Sequence, residues 1–148
     1  MPEERSQLIG KWISLTYRQA LRFLNQRLKP YDLTSSDYIF VINLDDQEQA
    51  TQQQLAEKLT LDKALAARNL KSLENKGYVI RQENQDDRRA NLVALTERGR
   101  AIKPVIAEIL AEWTALLARG LSAEEYAILL KHLKHVAQNA VEAVRQTQ

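Results

Sequence analysis

The chain contains no cysteine among its 148 residues. This absence excludes disulfide bonds, thiolate catalysis, zinc-thiolate sites and thiol-based redox sensing within the chain. There is no long apolar run and no N-terminal stretch of the signal-peptide type. We therefore expect a cytoplasmic protein without a membrane span.

Sequence signatures of catalysis are missing as well. There is no glycine-rich phosphate loop, nucleophile elbow or His-Glu metal motif, and capping explains the serines and threonines at predicted helix starts. The two histidines, His132 and His135, stand three residues apart, a spacing that can bind a metal if carboxylates converge. Neither has an acidic neighbour on that turn, so we expect a solvated or interface pair. We predict no enzyme activity, metal or cofactor.

The net charge of +2 conceals an uneven distribution of charge along the chain. Residues 31–59 carry six acidic groups and one basic group, whereas residues 60–103 carry ten basic and six acidic groups. A basic block of this kind fits a surface that faces phosphates. The length and the 45% hydrophobic content indicate one ordinary globular domain.

Hydrophobic periodicity predicts a mainly helical chain with one small hairpin. The predicted helices cover 3–29, 38–44, 52–59, 63–76, 97–119 and 123–145, and the predicted strands cover 78–83 and 91–95. Pro30 ends the first helix, and Pro104 predicts a kink or a break in the fifth. Capping boxes are predicted at 51–54 and 122–125, a similar start at 34–37, and an N-cap at Asp62.

Two short helices joined by about three residues are typical of a helix-turn-helix, and a hairpin directly after them is typical of a wing. The long helices at both chain ends carry more apolar surface than this compact middle can cover. The fold class is therefore mainly α with a small β-wing, a winged helix-turn-helix core flanked by dimerisation helices. We predict a single domain over 1–148, with a DNA-binding lobe at 31–100 and a dimerisation region at 1–30 and 101–148.

The helix at 63–76 has two faces. Ala66, Leu70 and Leu73 share the face that packs inward. The opposite face carries small and basic residues suited to a major groove: Ala64, Ala67, Arg68 and Lys71, with Leu65 and Ser72 at its edge. Arg68 can bond a guanine edge bidentately. The alternative is a solvated helix face with two ordinary cations.

The hairpin tip carries Asp86, Asp87, Arg88 and Arg89. Arginine at such a tip can enter the minor groove, where the negative potential over narrow A·T tracts is enhanced. A carboxylate there would repel DNA unless it were paired, so we expect Asp87 to pair with Arg68 or Arg89. The alternative is an exposed charged turn.

Three linked segments, LAEKL at 55–59, LKSLENKGYV at 70–79 and DRRANLVALTERG at 87–99, resemble the core of the MarR family. Asp87 and Arg89 match the family's Asp-x-Arg, and Leu95, Thr96 and Gly99 match its Leu-Thr-x-x-Gly. The resemblance implies that Arg89 is the wing arginine and Arg68 the recognition-helix arginine. Ala66 and Ala67 stand where many relatives have serine or threonine, which places more weight on shape readout through the wing.

The resemblance further implies a homodimer that binds double-stranded DNA at a pseudo-palindromic operator, and repression released by a small phenolic or anionic effector. Aromatic walls with one cation would suit that effector, and the candidates are Trp12, Tyr17, Arg18 and Tyr38. The alternative is that Trp12 and Tyr38 are core residues and Arg18 is on the surface.

The main hypothesis is a DNA-binding transcription regulator, acting as a repressor. Arg68 and Lys71 would face the major groove and Arg89 the minor groove. Arg88, Lys63 and Gln53 would contact phosphates, with backbone donors from the helix starts at Thr51 and Asp62. The alternative is a winged-helix adaptor that contacts only proteins.

Overall fold

A computed structural model describes residues 7–87 and 91–147 of the chain. The described elements are α1 (Ile9–Leu28), α2 (Tyr38–Asn43), β1 (Ala50–Thr51), α3 (Gln52–Leu59), α4 (Lys63–Asn75), β2 (Val79–Glu83), β3 (Asn91–Leu95), α5 (Glu97–Leu117) and α6 (Ala123–Arg145). The chain is mostly helical with one small antiparallel sheet, which confirms the predicted fold class.

The sheet has three strands in the order β1-β3-β2, and the sequence predicted only two of them. In the additional pairing, Ala50 lies opposite Val93 and Thr51 opposite Leu92. A strand of two residues has no alternation of polar and apolar side chains to reveal it. Its effect is to fix the start of α3 to the wing.

The predicted helix starts follow from side-chain caps. The Thr51 hydroxyl accepts a hydrogen bond from the Gln54 amide at 3.0 Å, and the Gln54 side chain accepts one from the Thr51 amide at 2.9 Å. Ser122 and Glu125 form the same reciprocal box at the start of α6. Asp62 caps α4 by accepting from two backbone amides. These three predictions are confirmed.

Two predictions about prolines need correction. Pro30 does not stand immediately after the first helix but inside a short 3-10 turn, Lys29–Tyr31, which continues the chain from α1. Of the kink or break predicted at Pro104, the break is wrong, because α5 runs unbroken past this residue, and the kink stays a prediction. Proline removes one backbone hydrogen bond from a helix, but the buried side chains of Ile102, Ile106 and Ile109 hold the apolar face of α5 in the core on both sides of it.

The hydrophobic core draws on every helix from α1 to α5 and on strands β2 and β3. Its members are Leu24, Leu28, Leu33, Phe40, Val41, Leu44, Leu55, Ala56, Ala66, Leu70, Leu73, Tyr78, Val79, Val93, Leu95, Ile102, Ile106 and Ile109. Because α3, α4 and the wing share this core, their relative placement is fixed by packing.

The chain divides into two compact units, the first ending at Ala111 and the second beginning at Glu112. The second unit contains the end of α5 and all of α6, and many of its apolar side chains are exposed, including Leu117, Leu129 and Leu133. The predicted division into a lobe at 31–100 and flanking dimerisation helices stays a prediction. Among the described helices, none combines the length and the apolar character that a bilayer span requires.

Candidate nucleic-acid interface

Helix α4 has one buried face and one exposed face, as its sequence pattern predicts. Leu70 and Leu73 are fully buried. The exposed face carries Ala64, Arg68 and Lys71, and Lys63 is exposed at the first residue of the helix. The half-buried Leu65, Ala67 and Ser72 also belong to α4. Ala66 is only 1% exposed, so it belongs to the core and its lack of a hydroxyl bears on no contact outside the protein. Of the two alanines compared with the family's serines and threonines, only Ala67 is partly exposed.

The turn between α3 and α4 is held by backbone conformation and by a cap. Thr60 ends α3 in the left-handed conformation, with φ of 54°, and Asp62 accepts hydrogen bonds at 3.0 and 3.1 Å from the amides of Ala64 and Leu65. On α3, Gln53 is exposed and donates to Glu57 at 3.0 Å, while Thr51 is half-buried and used as a cap. Thr51 is the N-cap of α3 and Gln53 is its second residue, so both lie at the start of the helix.

The wing is the hairpin of β2 and β3, in which Val79 lies opposite Leu95 and Glu83 opposite Asn91. Beyond β2 the chain turns at Asn84, whose side chain accepts a hydrogen bond from the Asp86 amide at 3.1 Å. Asp87 is exposed. The predicted contacts of Arg88 and Arg89 fall outside the described residues, and the pairing of Asp87 with Arg68 or Arg89 stays a prediction.

A network centred on Arg81 joins the wing to α3 and α4, and no sequence pattern predicted it. From β2, the Arg81 Nε and Nη2 donate to Glu74 Oε2 at 3.0 and 2.8 Å, and its Nη1 donates to Gln52 Oε1 at 2.9 Å. The pKa of the Glu74 carboxyl lies below its usual value, chiefly because of the hydrogen bonds from Arg81, with the charges of Arg81 and Lys71 adding to the effect. Arg81 stands two residues after the buried Val79 and therefore on the same face of β2, which was the available signal.

The junction between the wing and α5 leaves no room for a side chain at Gly99. A Cβ there would lie 2.1 Å from the Tyr78 carbonyl oxygen. Thr96 completes the junction, since its hydroxyl donates to the Gly77 carbonyl at 2.6 Å and accepts from the Gly99 amide at 3.0 Å. This geometry explains the spacing of Thr96 and Gly99. The Thr96 hydroxyl caps the amide three residues later, and a side chain at that position would collide with the Tyr78 backbone.

Comparison with known proteins agrees with this architecture. The family model described as the MarR family matches residues 33–90. The regulator SarZ of Staphylococcus aureus is 36% identical over 92 residues, which span 62% of this chain and 62% of SarZ. The crystal structure of a MarR transcriptional regulator from Methanosarcina mazei is 30% identical, with a TM-score of 0.85, over 91% of this chain and 97% of that one.

The chain belongs to the MarR family. Another solved MarR-family structure, a mutant MarR from Escherichia coli complexed with operator DNA, is 30% identical, with a TM-score of 0.78, over 86% of this chain and 92% of that one. In this MarR-family chain the two glycines of the matched motifs have distinct roles. Gly77 follows α4 with φ of +81°, and Gly99 allows the close approach to Tyr78.

The four residues predicted to bind an effector differ in exposure. Trp12 is 52% exposed, and the Lys11 ammonium lies 5.0 Å from its ring centroid, so Trp12 is not a core residue of the single chain. Tyr17 and Arg18 are exposed, and Tyr38 is half-buried. Burial raises the pKa of the Tyr38 phenol, and the neighbouring Tyr17 raises it further.

Proposed function

We propose that this MarR-family chain is a transcription regulator that binds double-stranded DNA sequence-specifically. The observation that carries the proposal is the exposed, basic and small-residue face of α4, held at a fixed position beside the wing. Arg68 and Lys71 stand on this face, and the side chains of the opposite face are buried in the core. The operator complex of the similar E. coli protein supports this use of the fold.

Each candidate residue has an assigned role in the proposal. Arg68 reads a base edge in the major groove, and Lys71 neutralises a phosphate beside it. Ala64, Ala67 and Ser72 permit close approach of the helix to the groove. Phosphate contacts come from Lys63, Gln53 and Arg88 and from the backbone at Thr51. Arg89 enters the minor groove, and Asp87 orients an arginine.

The active form in this proposal is a homodimer on a pseudo-palindromic operator. Exposed apolar side chains at the start of α1 and along α6 support it, among them Leu8, Ile9, Trp12, Leu129, Leu133 and Val144. Several large apolar side chains exposed on one helix are typical of an interaction site in a globular protein. A dimer would match two half-sites about one helical turn apart.

We also propose that the protein represses transcription and that a small phenolic or anionic effector relieves this repression. Trp12, Tyr17 and Tyr38 offer aromatic surface, and Arg18 offers a positive charge to an anionic ligand. Such a regulator acts in the cytoplasm of cells without a nucleus, since the chromosome lies there.

The decisive experiment selects bound sequences from a pool of random duplexes and then measures affinity for the selected site at several salt concentrations. A DNA-binding dimer should enrich a symmetric sequence, and its log affinity should fall linearly with log salt because phosphate contacts release counterions. If no duplex is bound at low salt, the adaptor function replaces the proposed one.

The wing assignment has its own test. Replacing Arg89 by alanine should lower affinity for the selected site at least about fivefold, as expected when one base-reading contact worth ~1–3 kcal/mol is lost. Circular dichroism and the urea midpoint should remain those of the unaltered protein. Unchanged affinity would remove Arg89 from the interface.

A further inference from the structure

Arg81 holds together three elements of the proposed interface through one side chain. It lies in the middle of β2, opposite Val93 on β3. Its partner Glu74 stands in the last turn of α4, and its partner Gln52 is the first residue of α3. All three hydrogen bonds are 2.8–3.0 Å long. The wing strand is therefore connected to both helices of the helix-turn-helix by a single guanidinium group.

The shape of the guanidinium group matters for this bridge. Two of its nitrogens reach the same carboxylate oxygen while the third reaches an amide oxygen on another helix. A planar fork can satisfy two fixed acceptors at once, whereas a lysine ammonium is a compact point charge on a flexible stem. The Arg81 and Glu74 side chains are 20% and 31% exposed, so the pair is partly shielded from water.

Glu74 would otherwise oppose DNA binding. Its carboxylate stands one helical turn from Lys71, a proposed phosphate contact, and lies 3.5 Å from the Lys71 Nζ. The Lys71 side chain is 60% exposed and remains able to turn toward a phosphate. Arg81 compensates the Glu74 charge by the shorter and better-shielded contact, which leaves Lys71 available.

We infer that Arg81 is a positioning residue, which fixes the wing against α4 so that both reach the duplex together. The inference rests on the proposed function. The wing remains attached without this bridge, because Val79, Val93 and Leu95 are buried in the core. What is lost is the orientation of the hairpin relative to α4, and a recognition site loosened by about 1 Å binds poorly even though its residues are present.

The test is a double-mutant cycle between Arg81→Met and Arg89→Ala, read as affinity for the duplex selected from the random pool. If Arg81 acts by aiming the wing, Arg81→Met should weaken binding at least tenfold. Arg89→Ala should then lower affinity less than about twofold in the Arg81→Met background, although it lowers affinity at least about fivefold alone. Residues that share one unit in this way show non-additive effects.

Arg81→Lys separates positioning from simple charge. It keeps the positive charge but not the fork, so it should bind nearly as poorly as Arg81→Met. Near-normal affinity of Arg81→Lys would overturn the inference. The inference would also be overturned if the loss of affinity in the double variant equalled the product of the two single losses. Arg81 would then act independently of Arg89, as a separate phosphate contact does.

Glu74→Gln keeps the test available if Arg81→Met fails to fold. This substitution weakens the same bridge by removing the charge of its acceptor. The loss of affinity caused by Arg89→Ala should therefore be smaller in Glu74→Gln than in the unaltered protein. A full Arg89 effect in folded Glu74→Gln would contradict the inference. Failure of the unaltered protein to bind any duplex would instead refute the proposed function, so the two failures are distinguishable.

Discussion

The Asp37 carboxylate oxygen Oδ2 lies 2.9 Å from the Lys76 Nζ, which joins the residue before α2 to the residue that ends α4. Asp37 is only 3% exposed. The same oxygen also accepts hydrogen bonds from the amide and the hydroxyl of Thr34, each at 2.9 Å. The end of α4 is therefore fastened to the rest of the core by a charged contact that solvent hardly reaches.

Removing the ammonium from this contact should destabilise the protein. Lys76→Met leaves a buried carboxylate with only its Thr34 donors, and we expect a loss of about 1.5–3 kcal/mol, the usual range for hydrogen bonds to charged groups. Urea unfolding at one fixed protein concentration measures it, as a lower midpoint with an unchanged slope. The double variant with Asp37→Asn should lose less than the two single losses added together. Strict additivity would show that the two side chains do not interact.

A methyl group at Gly99 should be far more damaging than the same methyl group at Gly10. At Gly99 the new Cβ would meet the Tyr78 carbonyl oxygen at 2.1 Å, so backbone must move, and we expect a loss at or above the ~3 kcal/mol upper range for overpacking. A Cβ at Gly10 meets nothing within 4 Å, and alanine there should stabilise α1 by up to ~1 kcal/mol. Thermal unfolding of the two variants makes the comparison, and equal midpoints would contradict it.

The Glu74–Arg81 bridge should make stability depend on pH. The pKa of Glu74 is lower in the folded protein than its usual 4.5, so the unfolded chain binds the proton more readily. The stabilisation is therefore present above about pH 4.5 and is lost as pH falls through the folded-state pKa. The difference in unfolding free energy between the unaltered protein and Glu74→Gln should be about 1 kcal/mol at neutral pH.

That difference should shrink as the pH is lowered toward 3. Urea titrations at a series of pH values measure it, and Glu83→Gln, which removes an exposed carboxylate from the same strand, is the control. A difference that grew on acidification would mean that Arg81 does not favour the charged form of Glu74.

The elements that sequence could predict are those fixed by local chemistry. The side chains of Thr51, Asp62 and Ser122 accept hydrogen bonds from backbone amides no more than three residues away. The buried residues of α4 recur at the helical period. The family resemblance rested on linked segments over about 45 residues and is confirmed. Nothing in a local pattern, however, could reveal the two-residue strand β1, which exists only because β3 pairs with it.

Contacts between distant residues were the other part that sequence could not supply. Arg81 and Gln52 are 29 positions apart, and Lys76 and Asp37 are 39 apart. Each looked like an ordinary polar residue, because burial and partners depend on tertiary packing. Ala66 is a different case, because the helical period predicted its inward position correctly, whereas the family comparison had suggested a surface role.

The two cations on the outer face of α4 should affect DNA binding in different ways. Arg68→Ala should weaken binding to the selected duplex by about 1–3 kcal/mol and flatten the preference at one base pair, because a bidentate base contact is lost. Lys71→Ala should weaken binding to all duplexes alike and reduce the salt slope by about 1, because a phosphate contact is lost.

Lys131→Ala, an exposed lysine on α6 in the second unit, is the charge-matched control and should leave both affinity and salt slope unchanged. Fluorescence anisotropy with the selected duplex, its single-base variants and an unrelated duplex distinguishes these outcomes. The weak Lys71–Glu74 contact of 3.5 Å does not prevent the Lys71 effect, because exposed pairs contribute little and exchange readily for a phosphate. If Arg68→Ala reduced affinity for every duplex equally, Arg68 would contact the backbone, and base readout would have to come from the wing.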